Sequence, residues 1–174
     1  RLGDNVMVGA AMLYLVRHAK AEAAPPGGDD AMRPLSREGR EDTVLAGRGL
    51  RRIGVRVELV LTSPLRRARE TAHLLALELK AEVRVHGALA PGTPAEELVQ
   101  SLVEFSGTKS LALVGHEPDM GQMASFLLLG DAARLQMPFK SGQVAAVEVA
   151  SLPPRAPGLL RWFATQQQLA IIGS

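Results

Sequence analysis

Short apolar runs rich in valine and leucine alternate along this chain with longer stretches whose apolar residues recur every three or four positions. That alternation predicts an α/β protein, a three-layer α/β/α sandwich around a mixed, mostly parallel sheet. The expected strands are 12–17, 57–62, 82–85, 110–115, 143–149 and 158–164. Between them, 36–53 has a helical pattern, weakened by Gly39, Gly47 and Gly49 at about 1 kcal/mol each relative to alanine. Ser63-Pro64 reads as an N-cap and first-turn proline, after which Leu65, Ala68, Ala72, Leu75 and Leu79 share one face. Thr93-Pro-Ala-Glu96 reads as a capping box opening a helix to about Glu104, and Pro118 opens another that closes at Gly130. The Pro- and Gly-rich segment 23–34 reads as an exposed loop without regular structure.

Composition narrows the possibilities. The 174 residues, 47% of them apolar, fit one domain with a substantial core. Lys and Arg total 20 against 18 Asp and Glu, so the net charge of +2 points to neither a nucleic-acid nor a membrane partner. The basic residues Arg48, Arg51, Arg52, Arg66, Arg67 and Arg69 lack the aromatic company of a nucleic-acid surface, aromatics being only 3%. The absence of cysteine removes disulfides, thiolate nucleophiles and sulfur-ligated metals, and fits a reducing, cytoplasmic setting. The apolar run Val6–Val16 has the look of a signal-peptide core, but it continues into Arg17-His18 without a small-residue cleavage site and is read as a strand. Met12 is a candidate natural start, which makes residues 1–11 an N-terminal extension or appended leader. No other stretch approaches the ~20 apolar residues of a membrane span.

The chemistry concentrates at three strand ends, where open α/β sheets place their ligand crevices. These are Arg17-His18, Ser63-Pro-Leu-Arg-Arg67 and Gly115-His116-Glu117-Pro118. Alone, each has an ordinary reading: a surface turn, a capped basic helix and a glycine turn. Together they bring two histidines and at least two arginines to one edge beside two helix N-termini, which is the composition of a phosphate site. A neutral histidine there can attack phosphorus, and nearby arginines help keep it neutral. No H-E-x-x-H or other metal-ligand pattern accompanies the histidines, so neither a metal nor another cofactor is expected.

These blocks resemble those of the histidine phosphatase superfamily, also called phosphoglycerate mutase-like, and specifically its small SixA-type phosphohistidine phosphatases. Leu15-Val-Arg-His-Ala19 resembles the signature block, Ser63-Pro-Leu-Arg-Arg-Ala68 the second and Gly115-His-Glu-Pro118 the third. Met32-Arg-Pro-Leu-Ser-Arg-Glu-Gly39 resembles the segment before the first helix. The likeness runs from Met12 to about Ala164 and implies one such domain over 12–174. It implies His18 as phosphorylated nucleophile, Arg17 and Arg67 as phosphate-binding groups and His116 as the second pocket histidine. Arg66 becomes an outward or substrate-side charge, and Arg33 a possible substrate-side group or a plain surface arginine. One departure bears on substrate. Many ester-cleaving relatives carry an acidic general acid after the third strand, where this chain reads Ala88-Leu-Ala-Pro-Gly92. Glu96 and Glu97 are the nearest carboxylates, and they are explained by the expected helix start. An alkoxide leaving group needs an acid worth typically 100- to 10,000-fold, roughly, whereas a phosphorylated imidazole can leave already protonated. The expected substrate is therefore phosphohistidine on a partner protein, with phosphate or a similar anion fitting the pocket. The alternatives are a small-molecule phosphate-ester phosphatase or mutase and a catalytically silent phosphoprotein-binding module.

Overall fold

The computed structural model describes residues 10–155 and 157–174. Of the expected extension 1–11, positions 1–9 lie outside the described residues, and Ala11 already belongs to the first strand. The elements in chain order are β1 (Ala11–Arg17), α1 (Arg37–Arg52), β2 (Leu59–Thr62), α2 (Arg66–Leu79), β3 (Glu82–Val85) and α3 (Ala95–Ser101). After them come β4 (Ser110–Gly115), α4 (Asp119–Leu129), β5 (Val144–Val149), β6 (Leu159–Ala164) and α5 (Gln166–Gly173). The sheet order is β3-β2-β4-β1-β5-β6. From β3 to β1 neighbours run parallel, while β5 and β6 are added antiparallel, so the sheet is mixed as expected.

The central strands are apolar on both faces because both faces are covered. Leu13, Leu15, Leu61, Leu111 and Leu113 pack with α3 and α4 residues such as Leu98, Met120 and Leu127. Their alternates Val16, Val60, Ala112 and Val114 pack with Leu50, Ala72, Leu75 and Leu169 from α1, α2 and α5. The period-2 pleat thus divides the interior into two cores and gives three layers.

The glycines that weaken α1 as an isolated helix have a packing purpose. A Cβ on Gly49 would collide with the Leu169 carbonyl of α5, and one on Gly39 with the Lys20 carbonyl. These are backbone contacts that no rotamer change relieves. Gly49→Ala is therefore expected to destabilise the fold: overpacking costs about 1–3 kcal/mol, against at most about 1 kcal/mol gained in helix propensity. A midpoint in urea at or above that of the parent protein would refute this.

Four local expectations need correcting. Ser63 does not cap α2, whose N-cap is Leu65; the Ser63 hydroxyl is engaged elsewhere. Thr93 forms no capping box, because its Oγ1 donates to the Ala90 carbonyl (3.1 Å) and α3 starts from Pro94 without a side-chain cap. That helix ends at Ser101 and tightens into a 3₁₀ turn over Leu102–Phe105. The capping box occurs instead at Thr165 and Gln168, opening α5, a helix that the periodicity left unassigned. Segment 23–34 holds a short 3₁₀ turn, Asp30–Met32, because the Asp29 carboxylate accepts from the Ala31 N–H (2.9 Å).

Candidate active site

Register determines what meets at the carboxyl edge. Arg17 pairs with Gly115 across β1 and β4, and Thr62 pairs with Val114 across β2 and β4. His18, Ser63 and His116 are therefore each the first residue past one of three adjacent strands. The His18 N–H donates to the Gly115 carbonyl (3.0 Å), and the Ser63 N–H to that of Val114 (3.0 Å), which fixes the backbone beneath the site.

His18 has a defined tautomer. Its Nδ1 lies 2.7 Å from the Ala19 carbonyl, which can only accept, so Nδ1 carries the proton and Nε2 the lone pair. Nε2 in turn accepts from Arg67 Nε at 3.1 Å. Burial, seconded by Arg67, Arg17 and Arg33, outweighs the Ala19 hydrogen bond and lowers the ring's pKa to about 4. The ring is neutral and nucleophilic at pH 7 and loses the lone pair only on strong acidification.

Around it stand the other expected groups. The His116 ring lies 5.2 Å from that of His18, centroid to centroid, and is only 3% exposed. Burial first, then the neighbouring His18 ring and the Arg67 guanidinium, pushes its pKa to about 3. Arg67 is buried on α2, and Arg66 points outward to Glu70 (2.8 Å). Arg17 donates from Nη1 to the Phe139 carbonyl (2.6 Å). Arg33 pairs with Asp30 (2.7 Å) and donates to the Glu22 carbonyl (2.9 Å), close enough to the site to disfavour a charged His18. The structure thus brings together His18, Arg17, Arg67 and His116, with Arg33 at the rim.

Two buried nitrogens there, Arg17 Nε and His116 Nδ1, have no hydrogen-bond partner. Buried polar atoms are seldom left unpaired, and two orphaned donors on residues neighbouring a nucleophilic ring mark a place prepared for an acceptor-rich group. Guanidinium groups and helix starts favour an anion as that group.

Two residues of the site escaped the sequence reading. Ser63, fully buried, places Oγ 2.7 Å from His116 Nε2 while accepting the Leu65 N–H (3.2 Å). With the hydroxyl donating to Nε2, the neutral ring keeps its proton on Nδ1, free to donate to an anion entering the pocket. Asp30 lies at the rim: its carbonyl accepts from Arg67 Nη1 (2.9 Å) and its carboxylate is 3.2 Å from the same nitrogen. Ser63 was hidden behind its helix-cap reading, and Asp30 behind the apparent irregularity of its loop.

The segment after β3 carries no acid, since Gly87–Leu89 is a 3₁₀ turn and Glu96 and Glu97 lie exposed in the first turn of α3. The Gly92 N–H instead donates to the buried Asp119 of α4 (2.9 Å). Among the described residues no group of three or more His, Cys, Asp or Glu side chains could hold a metal ion, and no helix is long and apolar enough to cross a membrane.

The family model for the histidine phosphatase superfamily (branch 1) matches residues 13–90. An uncharacterized protein of Picosynechococcus sp. is 36% identical over 121 residues, covering 68% of this chain and 73% of that protein. The chain belongs to the histidine phosphatase superfamily. Among solved structures, the protein histidine phosphatase SixA complexed with tungstate superposes on this histidine phosphatase with a TM-score of 0.78. The identity is 24%, with 91% of this chain and 99% of SixA covered. The alpha-ribazole phosphatase of Shigella flexneri gives a TM-score of 0.72 at 17% identity, covering 89% and 96%. The fold of this histidine phosphatase is therefore shared by proteins named for different substrates.

Proposed function

We propose that this protein removes phosphoryl groups from phosphohistidine on a partner protein, through a covalent intermediate on His18. The observation that carries the reading is the unprotonated Nε2 of His18, its ring held neutral beside Arg67, with the orphaned nitrogens of Arg17 and His116 among the groups around it. In the first transfer the Nε2 lone pair attacks phosphorus as the bond to the leaving atom breaks. In the second, water displaces His18 and releases phosphate. Arg17, Arg67 and His116 hold the equatorial oxygens in both steps. Because two guanidinium groups supply the positive charge, neither step calls on a metal.

Two considerations favour phosphohistidine over an ester. The segment after β3 offers no carboxylic acid to protonate an alkoxide, and its His86 is engaged by Ser101 (2.7 Å); the structural likeness also includes SixA, named a protein histidine phosphatase. The likeness to alpha-ribazole phosphatase keeps a small-molecule substrate as the rival. The decisive comparison is turnover, with chelator present, of a phosphohistidine protein against an alkyl phosphate ester such as glycerol phosphate, whose alkoxide leaving group needs a proton. A kcat/KM at least about tenfold higher for phosphohistidine is expected, since the ester forgoes general-acid help worth roughly 100-fold or more. Equal or faster ester cleavage would move the assignment to a small-molecule phosphatase, and inertness to both would favour a binding module.

A further inference from the structure

We infer that Asp30 is a specificity-determining catalytic residue, whose carboxylate accepts the ring N–H of the departing imidazole and selects a nitrogen leaving group over an ester oxygen. The inference rests on the phosphohistidine reading above and deepens it.

The position of Asp30 comes from how its loop is closed. Ala21 bridges to Leu35, the Glu22 N–H donates to the Pro34 carbonyl (2.9 Å) and the Ser36 N–H to that of Lys20 (2.9 Å), so the intervening residues fold back over the site. Asp30 ends up against Arg67 Nη1 (3.2 Å) with Arg33 Nε on its other oxygen (2.7 Å). The two arginines keep the carboxylate ionised, its pKa lowered chiefly by the Arg33 hydrogen bond. An ionised carboxylate cannot supply the proton that an alkoxide needs, so Asp30 does not replace the missing general acid. It can accept a hydrogen bond.

The direction is also right. From His18 Nε2 to Arg67 Nε, then along the guanidinium to Nη1 and on to Asp30, the path runs from the buried floor to a side chain 61% exposed. A phosphoryl group held along that guanidinium edge has the attacking nitrogen at the His18 end. Its leaving atom must then face the open end, where Asp30 stands. A phosphorylated imidazole carries phosphorus on one nitrogen and, when protonated, a hydrogen on the other. As the P–N bond breaks, its electron pair returns to the ring nitrogen, the new bond forms to His18 Nε2, and the substrate ring leaves neutral with its far N–H intact. The enzyme ring is held in the same manner, its own far N–H on the Ala19 carbonyl. The phosphoryl group therefore passes between two imidazoles, each anchored by the nitrogen that does not react. An ester leaving oxygen has no such hydrogen and develops negative charge facing a carboxylate.

The test compares Asp30→Asn, and Asp30→Ala as a second truncation at this exposed site, with the parent protein on a phosphohistidine protein and on p-nitrophenyl phosphate. The ratio of kcat/KM for phosphohistidine to that for the ester is expected to fall about 10- to 100-fold, the worth of one hydrogen bond to a charged group. A parallel fall on both substrates would mean that Asp30 only positions Arg67, and it would overturn the inference, as would an unchanged or higher ratio. If the parent protein cleaves the ester but ignores phosphohistidine, the underlying reading fails and the role of Asp30 falls with it. If the parent prefers phosphohistidine and the variants keep its ratio, only the role of Asp30 fails.

Discussion

Replacing His18 by alanine is expected to lower kcat/KM by roughly 10,000-fold or more, the scale on which loss of a covalent nucleophile acts. The variant should also form no phosphoenzyme, whereas the parent protein is expected to form a phosphoramidate, labile in acid, stable in alkali and trappable from a radiolabelled substrate. The backbone of residue 18 is held through its N–H on the Gly115 carbonyl, so the fold and its melting temperature should change little. A folded His18→Ala protein that retains more than a hundredth of the parent rate, or still traps label, would show that another group takes the phosphoryl.

Arg17→Lys is expected to cost about 100- to 1,000-fold in kcat, comparable to removing one preorganised donor from a transition-state site. Charge is retained, so simple attraction for a phosphate survives and KM should move much less. Geometry is what is lost. Arg17 holds itself through Nη1 on the Phe139 carbonyl while its buried Nε stays unpaired, and a lysine ammonium cannot occupy both places from one nitrogen. A kcat within tenfold of the parent would mean that Arg17 acts only as a diffuse charge.

Much of the fold and the centre of the site were legible in the sequence. β3 and β4 appear at their expected residues, and the other strands begin within two residues of expectation because Val- and Leu-rich runs between turn signals are hard to misread. His18 and His116 could be placed together because each follows a strand and strand ends meet at one edge, and Arg67 because it opens the helix after the strand beside them. Less accessible was everything that depends on where a small polar side chain turns. Ser63 and Thr93 both precede helices and both suit a cap, yet other partners recruit them, the distant His116 for one and the local Ala90 carbonyl, three residues back, for the other. Gly39 and Gly49 read as flaws in α1 because propensity is local, whereas the reason for them is a carbonyl distant in sequence or on another element. Asp30 lies in a segment whose proline and glycine content gives no periodicity to follow, and its value comes from loop closure alone.

The catalytic pocket has walls of unequal stiffness. On one side, His18 continues a strand bordered on both flanks, with Arg17 N–H on Gln143 and His18 N–H on Gly115, so displacing the nucleophile means opening the middle of the sheet. On the other, Asp30 and Arg33 ride on a mostly exposed loop tied at its base, which can open without breaking either core. Differences in partner size and shape would be absorbed by the loop, while the distance from Nε2 to phosphorus is governed by the sheet. Such a division lets substrate recognition drift over evolution without disturbing the geometry of the transfer.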